Sequence, residues 1–183
     1  MKHILICGER HSGKTYLTER LLRECRVPLY GFMTKIMVNR QDGYHEIYMF
    51  PADGSTGGMS EENYVGSCNT RQRTVNLRVF DTLGVKLLRE ARPDGIIVMD
   101  ELGFMEAGSP AFCQAVLDRL DGEIPVLATV KAGGVDVEFL QKVRSHPNAA
   151  LYMVNPENRD ELVKTLLPVI RNWNEVLGCA EKD

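Results

Sequence analysis

Two short runs of the chain, Ile4-Leu5-Ile6-Cys7 and Ile96-Ile97-Val98-Met99, are apolar at consecutive positions. Strands with that pattern are covered on both faces, as in a parallel sheet. Residues 124–130 read as another buried strand and residues 149–154 as a further strand. Elsewhere apolar residues recur at helical spacing: Leu17, Leu21 and Cys25; Leu83, Leu87 and Leu88; Phe112, Val116 and Leu120; and Leu162, Leu166, Ile170 and Trp173. A shorter helix is expected near residues 137–144. Val27-Pro28 and Arg92-Pro93-Asp94-Gly95 end elements, Ser109-Pro110 and Asn155-Pro156 open them, and Pro168 predicts a kink or break in the last helix.

Residues 29–38 and 44–50 are rich in β-branched and aromatic side chains and are separated by a stretch containing Asp42-Gly43, which predicts an antiparallel hairpin. Residues 75–80 read as a short strand, with Asp81 capping a helix through Ala91. Residues 51–73 carry Gly54, Gly57, Gly58 and Gly66 among many Ser, Thr and Glu; this stretch is expected to be a mobile, lid-like loop. The alternation of strand and helix predicts an α/β fold, a mainly parallel sheet with helices on both faces plus the hairpin. A length of 183 residues fits a single domain, 1–183.

A formal charge of −3 with 26% charged residues leaves no basic footprint, so nucleic acid is not an expected partner. No stretch approaches the roughly 18 apolar residues of a membrane span, and Met1-Lys2-His3 leads directly into a strand. A cytoplasmic protein is the expectation. The cysteines Cys7, Cys25, Cys68, Cys113 and Cys179 form no C-x-x-C pair, and the histidines are scattered, which argues for free thiols and against a zinc cage.

The chemistry starts at Gly8-Glu9-Arg10-His11-Ser12-Gly13-Lys14-Thr15, between the first strand and the first helix. A phosphate-binding loop needs glycines so that backbone N–H groups can turn inward, a lysine for the β/γ oxygens and a hydroxyl for Mg²⁺. Gly8, Gly13, Lys14 and Thr15 fill those roles, with Tyr16 following at the start of the helix. In proteins with such a loop, a second strand of four apolar residues ends in an Asp that holds the Mg²⁺, and 96–100 matches with Asp100. Glu101 is placed to orient and polarise an attacking water, which a hydrolase needs and a kinase does not. Thr129 or Lys131 would face the γ-phosphate if residues 124–130 lie between the other two strands.

The stretches Gly8 to Thr15, Tyr30-Gly31-Phe32-Met33-Thr34, Asp100-Glu101-Leu102-Gly103-Phe104-Met105-Glu106, Val126-Leu127-Ala128-Thr129-Val130 and Glu157-Asn158-Arg159-Asp160 occur in the order seen in the cancer-related nucleoside-triphosphatase family, which the chain resembles over nearly its whole length. The resemblance implies a small RecA-like P-loop domain that hydrolyses nucleoside triphosphates, ATP, GTP and others, with Mg²⁺. It also implies a carboxylate role for Glu106 near the metal. Two departures stand out: Arg10-His11 replaces the family's Pro-Gly inside the loop, and Lys35-Ile36-Met37 replaces its charged residues. Histidine tolerates a positive φ well enough for the loop to close.

Arg71 and Arg73 are candidates for the cation that hydrolysis needs on the transferred phosphoryl group, and Asn158 and Arg159 are candidates to lie over the base. A nucleoside or nucleotide kinase and a nucleotide-dependent binding module with slow hydrolysis stand as the alternatives. No protein partner can be named from the sequence.

Overall fold

The structure, a computed structural model, describes residues 2–39, 45–55, 57–68, 72–132 and 137–178. An eight-stranded sheet runs in the order β5-β4-β3-β2-β6-β7-β1-β8. Its parallel half comprises β1 (His3–Gly8), β2 (Leu29–Asn39), β6 (Ile96–Leu102), β7 (Val126–Lys131) and β8 (Ala149–Met153). The other half is antiparallel: β3 (His45–Pro51) pairs with β2, β4 (Tyr64–Cys68) with β3, and β5 (Arg73–Val75) with β4.

Every residue of β1 is buried, because β7 and β8 flank it and helices cover both faces. Successive side chains go to opposite faces, the period-two rule of strands. Ile4 and Ile6 meet Leu17 and Leu21 of α1 (Lys14–Leu22) and Leu166, Ile170 and Trp173 of α6 (Arg159–Gly178). Leu5 faces the opposite layer, where Phe112, Val116 and Leu120 of α4 (Pro110–Asp121) and Leu140 of α5 (Glu138–Arg144) pack with Phe32 and Met99. Ser109 caps α4 by accepting from the Phe112 N–H at 3.3 Å, with Pro110 in the first turn, as its sequence signature predicts.

Three expectations are corrected. Residues 77–80 are helical: α2 (Leu77–Val79) continues through a π turn, Phe80–Gly84, into α3 (Val85–Arg89). Val79 and Phe80 are buried on this helix, so the apolar residues that read as a strand form its inner face. Asp81 lies inside the π turn and accepts from the Ser109 hydroxyl at 2.5 Å, bridging to the start of α4 where a cap had been expected. Finally, the stretch 51–73 is not one long loop, since it contains β4 and the start of β5. Its turn is held by Asn63, whose side chain accepts from the Ser60 N–H at 2.8 Å and donates to the Gly58 carbonyl at 2.9 Å. Pro168 sits inside α6, which is continuous through it. The turn at 40–43, Arg71, Gly133-Gly134 and Cys179 lie outside the described residues.

Candidate active site

β7 lies between β1 and β6, so the C-terminal ends of all three strands adjoin. Gly8 is the register partner of Lys131, and the Ala132 N–H donates to the Gly8 carbonyl at 3.2 Å. One strand over, the buried Thr129 hydroxyl donates to Asp100 Oδ1. Thr129 is thereby committed to orienting the carboxylate, and of the two residues expected near the terminal phosphate Lys131 is the one whose side chain does not bond Asp100; its ammonium lies over the Phe104 ring.

The loop between β1 and α1 closes through two left-handed residues, His11 at φ 64° and Gly13 at φ 104°. Histidine does take the positive φ expected of it. Gly8 has no room for a side chain: a Cβ there would lie 2.3 Å from Ser12 Oγ and 2.7 Å from the Val154 carbonyl oxygen. Gly13 is constrained by its positive φ, and the Arg159 stem comes within 3.1 Å of where its Cβ would be. Glu9, Arg10 and His11 are exposed on the outer shoulder, and Ser12 is buried beneath it. An open pocket of about 350 Å³ separates this shoulder from Met153, Val154, Asn155 and Pro156.

Lys14 is folded back into the loop. Its Nζ donates to the Gly8 carbonyl at 2.8 Å and the Glu9 carbonyl at 3.0 Å, and lies 3.0 Å from Glu101 Oε1. The P-loop lysine and the carboxylate that follows Asp100 are therefore in direct contact. Burial pushes the Asp100 carboxyl up from its ordinary value, opposed by the Thr129 hydrogen bond. Thr15 is exposed at the first turn of α1.

Thr34 is a site residue to which the sequence reading gave no role, although it ends the quoted stretch Tyr30 to Thr34. Its hydroxyl donates to the Asp100 carbonyl at 3.1 Å and accepts from the Glu101 N–H at 3.2 Å, fixing the peptide between the two acids, which is cis. The only sequence signal for this is a polar β-branched residue at the end of a strand that pairs with β6.

Glu106 is buried, and its Oε2 accepts from the Gly103 N–H at 3.1 Å. Burial pushes its carboxyl up to about 7. Between its ordinary value of about 4.5 and that point the folded protein holds a proton that the unfolded chain releases, so stability falls as pH rises through this window. Glu106→Gln is expected to raise the melting temperature relative to the parent at about pH 8 more than at about pH 5. Calorimetry at the two pH values checks this; an offset independent of pH would mean that Glu106 is ionised throughout.

At the start of α6, the Arg159 guanidinium lies 5.0 Å from the centre of the Tyr16 ring, and the Tyr16 hydroxyl donates to Asp160 Oδ1 at 2.8 Å. This ties the beginning of α1 to the beginning of α6 beside Gly13. Asn158 is used differently from the expectation that it lies over a base. Its Oδ1 accepts from the Asn155 N–H at 2.8 Å and its Nδ2 donates to the Met153 carbonyl at 2.9 Å. Both ends of the amide shape the turn.

A parallel sheet with a phosphate loop after β1, an acidic pair ending β6 and β7 between them defines the class of P-loop nucleoside-triphosphate hydrolases. The family model described as NTPase matches residues 3–167, and the chain belongs to that family. It is a nucleoside-triphosphatase. Among its relatives, the nucleoside-triphosphatase THEP1 of Thermofilum pendens is 36% identical, over 88% of this chain and 91% of that protein. That of Pyrococcus abyssi is 32% identical over 96% and 94%, and that of Thermotoga sp. strain RQ2 29% over 92% and 95%. The crystal structure of THEP1 from Aquifex aeolicus shares the fold with a TM-score of 0.71 at 24% identity, covering 92% of this chain and 98% of that one.

Proposed function

We propose that the protein hydrolyses Mg²⁺-bound nucleoside triphosphates, ATP, GTP and others, to diphosphate and phosphate at the junction of β1, β6 and β7. The observation that supports this reading is the 3.0 Å contact between Lys14 Nζ and Glu101 Oε1, since a carboxylate so close to a lysine suited to the β/γ oxygens is within reach of a water at the γ-phosphate. Loop amides from Gly8 to Thr15 cradle the phosphates. The Thr15 hydroxyl and the Asp100 carboxylate are hard oxygen donors, the kind Mg²⁺ takes while drawing its other ligands from phosphate and water. Burial that disfavours the Asp100 charge is what a bound cation would relieve. A Mg²⁺ held by Thr15 and Asp100 would supply positive charge against the negative charge that develops on the leaving diphosphate.

Glu101 orients a water whose oxygen attacks the γ-phosphorus as the bond to the bridging oxygen breaks. The water's proton passes to Glu101 and then to the released phosphate, while the electron pair stays on the diphosphate. Measuring products with each NTP, with and without Mg²⁺ and with and without nucleoside acceptors, tests the reading. Phosphate release without acceptor is expected, and faster transfer to an acceptor than to water would replace it with the kinase alternative.

The Tyr16–Arg159 pair offers the base a stacking surface, and stacking tolerates any base because each has a π-face, which supports broad nucleotide use. Arg159→Ala is expected to raise KM for ATP and GTP by the same factor, roughly 2- to 30-fold, as the loss of a cation–π contact of about 0.5–2 kcal/mol implies. The kcat should hold. Unequal effects on the two nucleotides in steady-state kinetics would show that Arg159 reads a base edge.

A further inference from the structure

Resting on the hydrolase reading, we propose that Lys131 is the cation that engages the terminal phosphate of the substrate, and that Phe104 holds it in reserve until nucleotide arrives. Hydrolysis needs positive charge on the transferring phosphoryl group beyond the P-loop lysine. Four other described cations near the site are placed elsewhere or exposed. Arg159 lies over Tyr16, Arg144 donates to the Lys131 carbonyl, Arg73, on β5, lies 4.4 Å from the centre of the Phe104 ring, and Arg10 is exposed on the loop.

Lys131 is different in position. Its backbone is the register partner of Gly8, the first glycine of the phosphate loop, and it is one residue past the buried end of β7. Its stem lies 3.9 Å from where a Cβ on Gly103 would be, and its Nζ is 4.8 Å from the centre of the Phe104 ring. The side chain thus spans from the phosphate loop to the turn that follows Asp100 and Glu101, flanking the place where the terminal phosphate would lie.

A partly solvated cation–π contact is weaker than a charge-assisted hydrogen bond to phosphate, so the ring gives up the lysine when a triphosphate binds. Phe104 keeps a cationic partner in Arg73, so Lys131 can depart without leaving the ring uncovered. A diphosphate lacks the oxygens that would draw it away. Lys131 therefore distinguishes triphosphate from diphosphate and stabilises the charge that spreads over the γ-oxygens as the bond breaks.

The test compares the parent with Lys131→Met and Lys131→Arg, using a non-hydrolysable triphosphate analogue, the corresponding diphosphate, and turnover. Lys131→Met is expected to bind diphosphate within about twofold of the parent, lose about tenfold of the preference for triphosphate, and turn over about 10²-fold more slowly. Lys131→Arg should recover much of both. A folded Lys131→Met protein with the parent's triphosphate preference and rate would overturn the proposal. So would a loss of diphosphate and triphosphate affinity in equal measure, which is the mark of a merely structural lysine. A parent protein that hydrolyses no triphosphate would defeat the hydrolase reading instead, and the binding comparison would still decide for or against Lys131.

Discussion

Lys14→Ala is expected to lower affinity for Mg-ATP and Mg-GTP by about 10²-fold or more, since each charged hydrogen bond to the β/γ oxygens contributes about 1.5–3 kcal/mol. The fold should survive. Lys14 Nζ contributes to the nucleotide-free loop by bonding the Gly8 and Glu9 carbonyls, but the loop's course is set by the positive φ of His11 and Gly13 and by the tight space at Gly8. Its loss also deprives Glu101 of its cation. The Glu101 side chain is 32% exposed, but its Oε1, the oxygen that faces Lys14, is buried, so water reaches it only through the space that Lys14 vacates. Titration calorimetry on a protein shown to be folded would decide: unchanged binding of both nucleotides would remove this loop as the phosphate site.

Lys14 Nζ and Glu101 Oε1 lie 3.0 Å apart, so a triphosphate that draws on the lysine is expected to loosen its hold on Glu101.

The parts of this site written locally in the chain were legible in the sequence. A phosphate loop is one strand end, eight residues and one helix start, and the positive φ at His11 and Gly13 acts within that span, whereas the crowding of Gly8 by Val154 and of Gly13 by Arg159 comes from the far end of the chain. The apolar run ending in Asp100-Glu101 was equally readable because two-face burial leaves no alternation. Residues 77–80 were misread because Val79 and Phe80 suit a strand as well as the inner face of a helix, and packing against α4 decides between them. Strand β4 was hidden in Tyr64–Cys68, where two flanking strands supply the order that glycine and serine do not. The Arg73–Phe104–Lys131 grouping joins a strand of the antiparallel half, a loop after β6 and the end of β7. No spacing rule connects those positions, and only the folded chain brings them together.

Glu101→Gln should separate binding from catalysis most sharply. The amide keeps the shape of the side chain and its capacity for hydrogen bonds but removes the charge that polarises water, so hydrolysis should fall by roughly 10²- to 10⁴-fold, the usual contribution of a positioned base. Thr34 should still hold the backbone between Asp100 and position 101, because its bonds are to the Asp100 carbonyl and the Glu101 N–H and not to the side chain. Asp100 and Thr15 are untouched, so Mg²⁺ dependence should persist. Triphosphate affinity should be equal to the parent's or higher, since the substrate no longer has to compete with a carboxylate 3.0 Å from Lys14. Single-turnover hydrolysis and equilibrium binding on the same preparation give both numbers. A kinase would lose little transfer to a nucleoside acceptor on this substitution, and a nucleotide-timed binding module would show a slow parent and a variant locked on its triphosphate. A variant that binds as the parent does and hydrolyses at the parent's rate would place the catalytic carboxylate elsewhere, with the buried Glu106 the next to be changed.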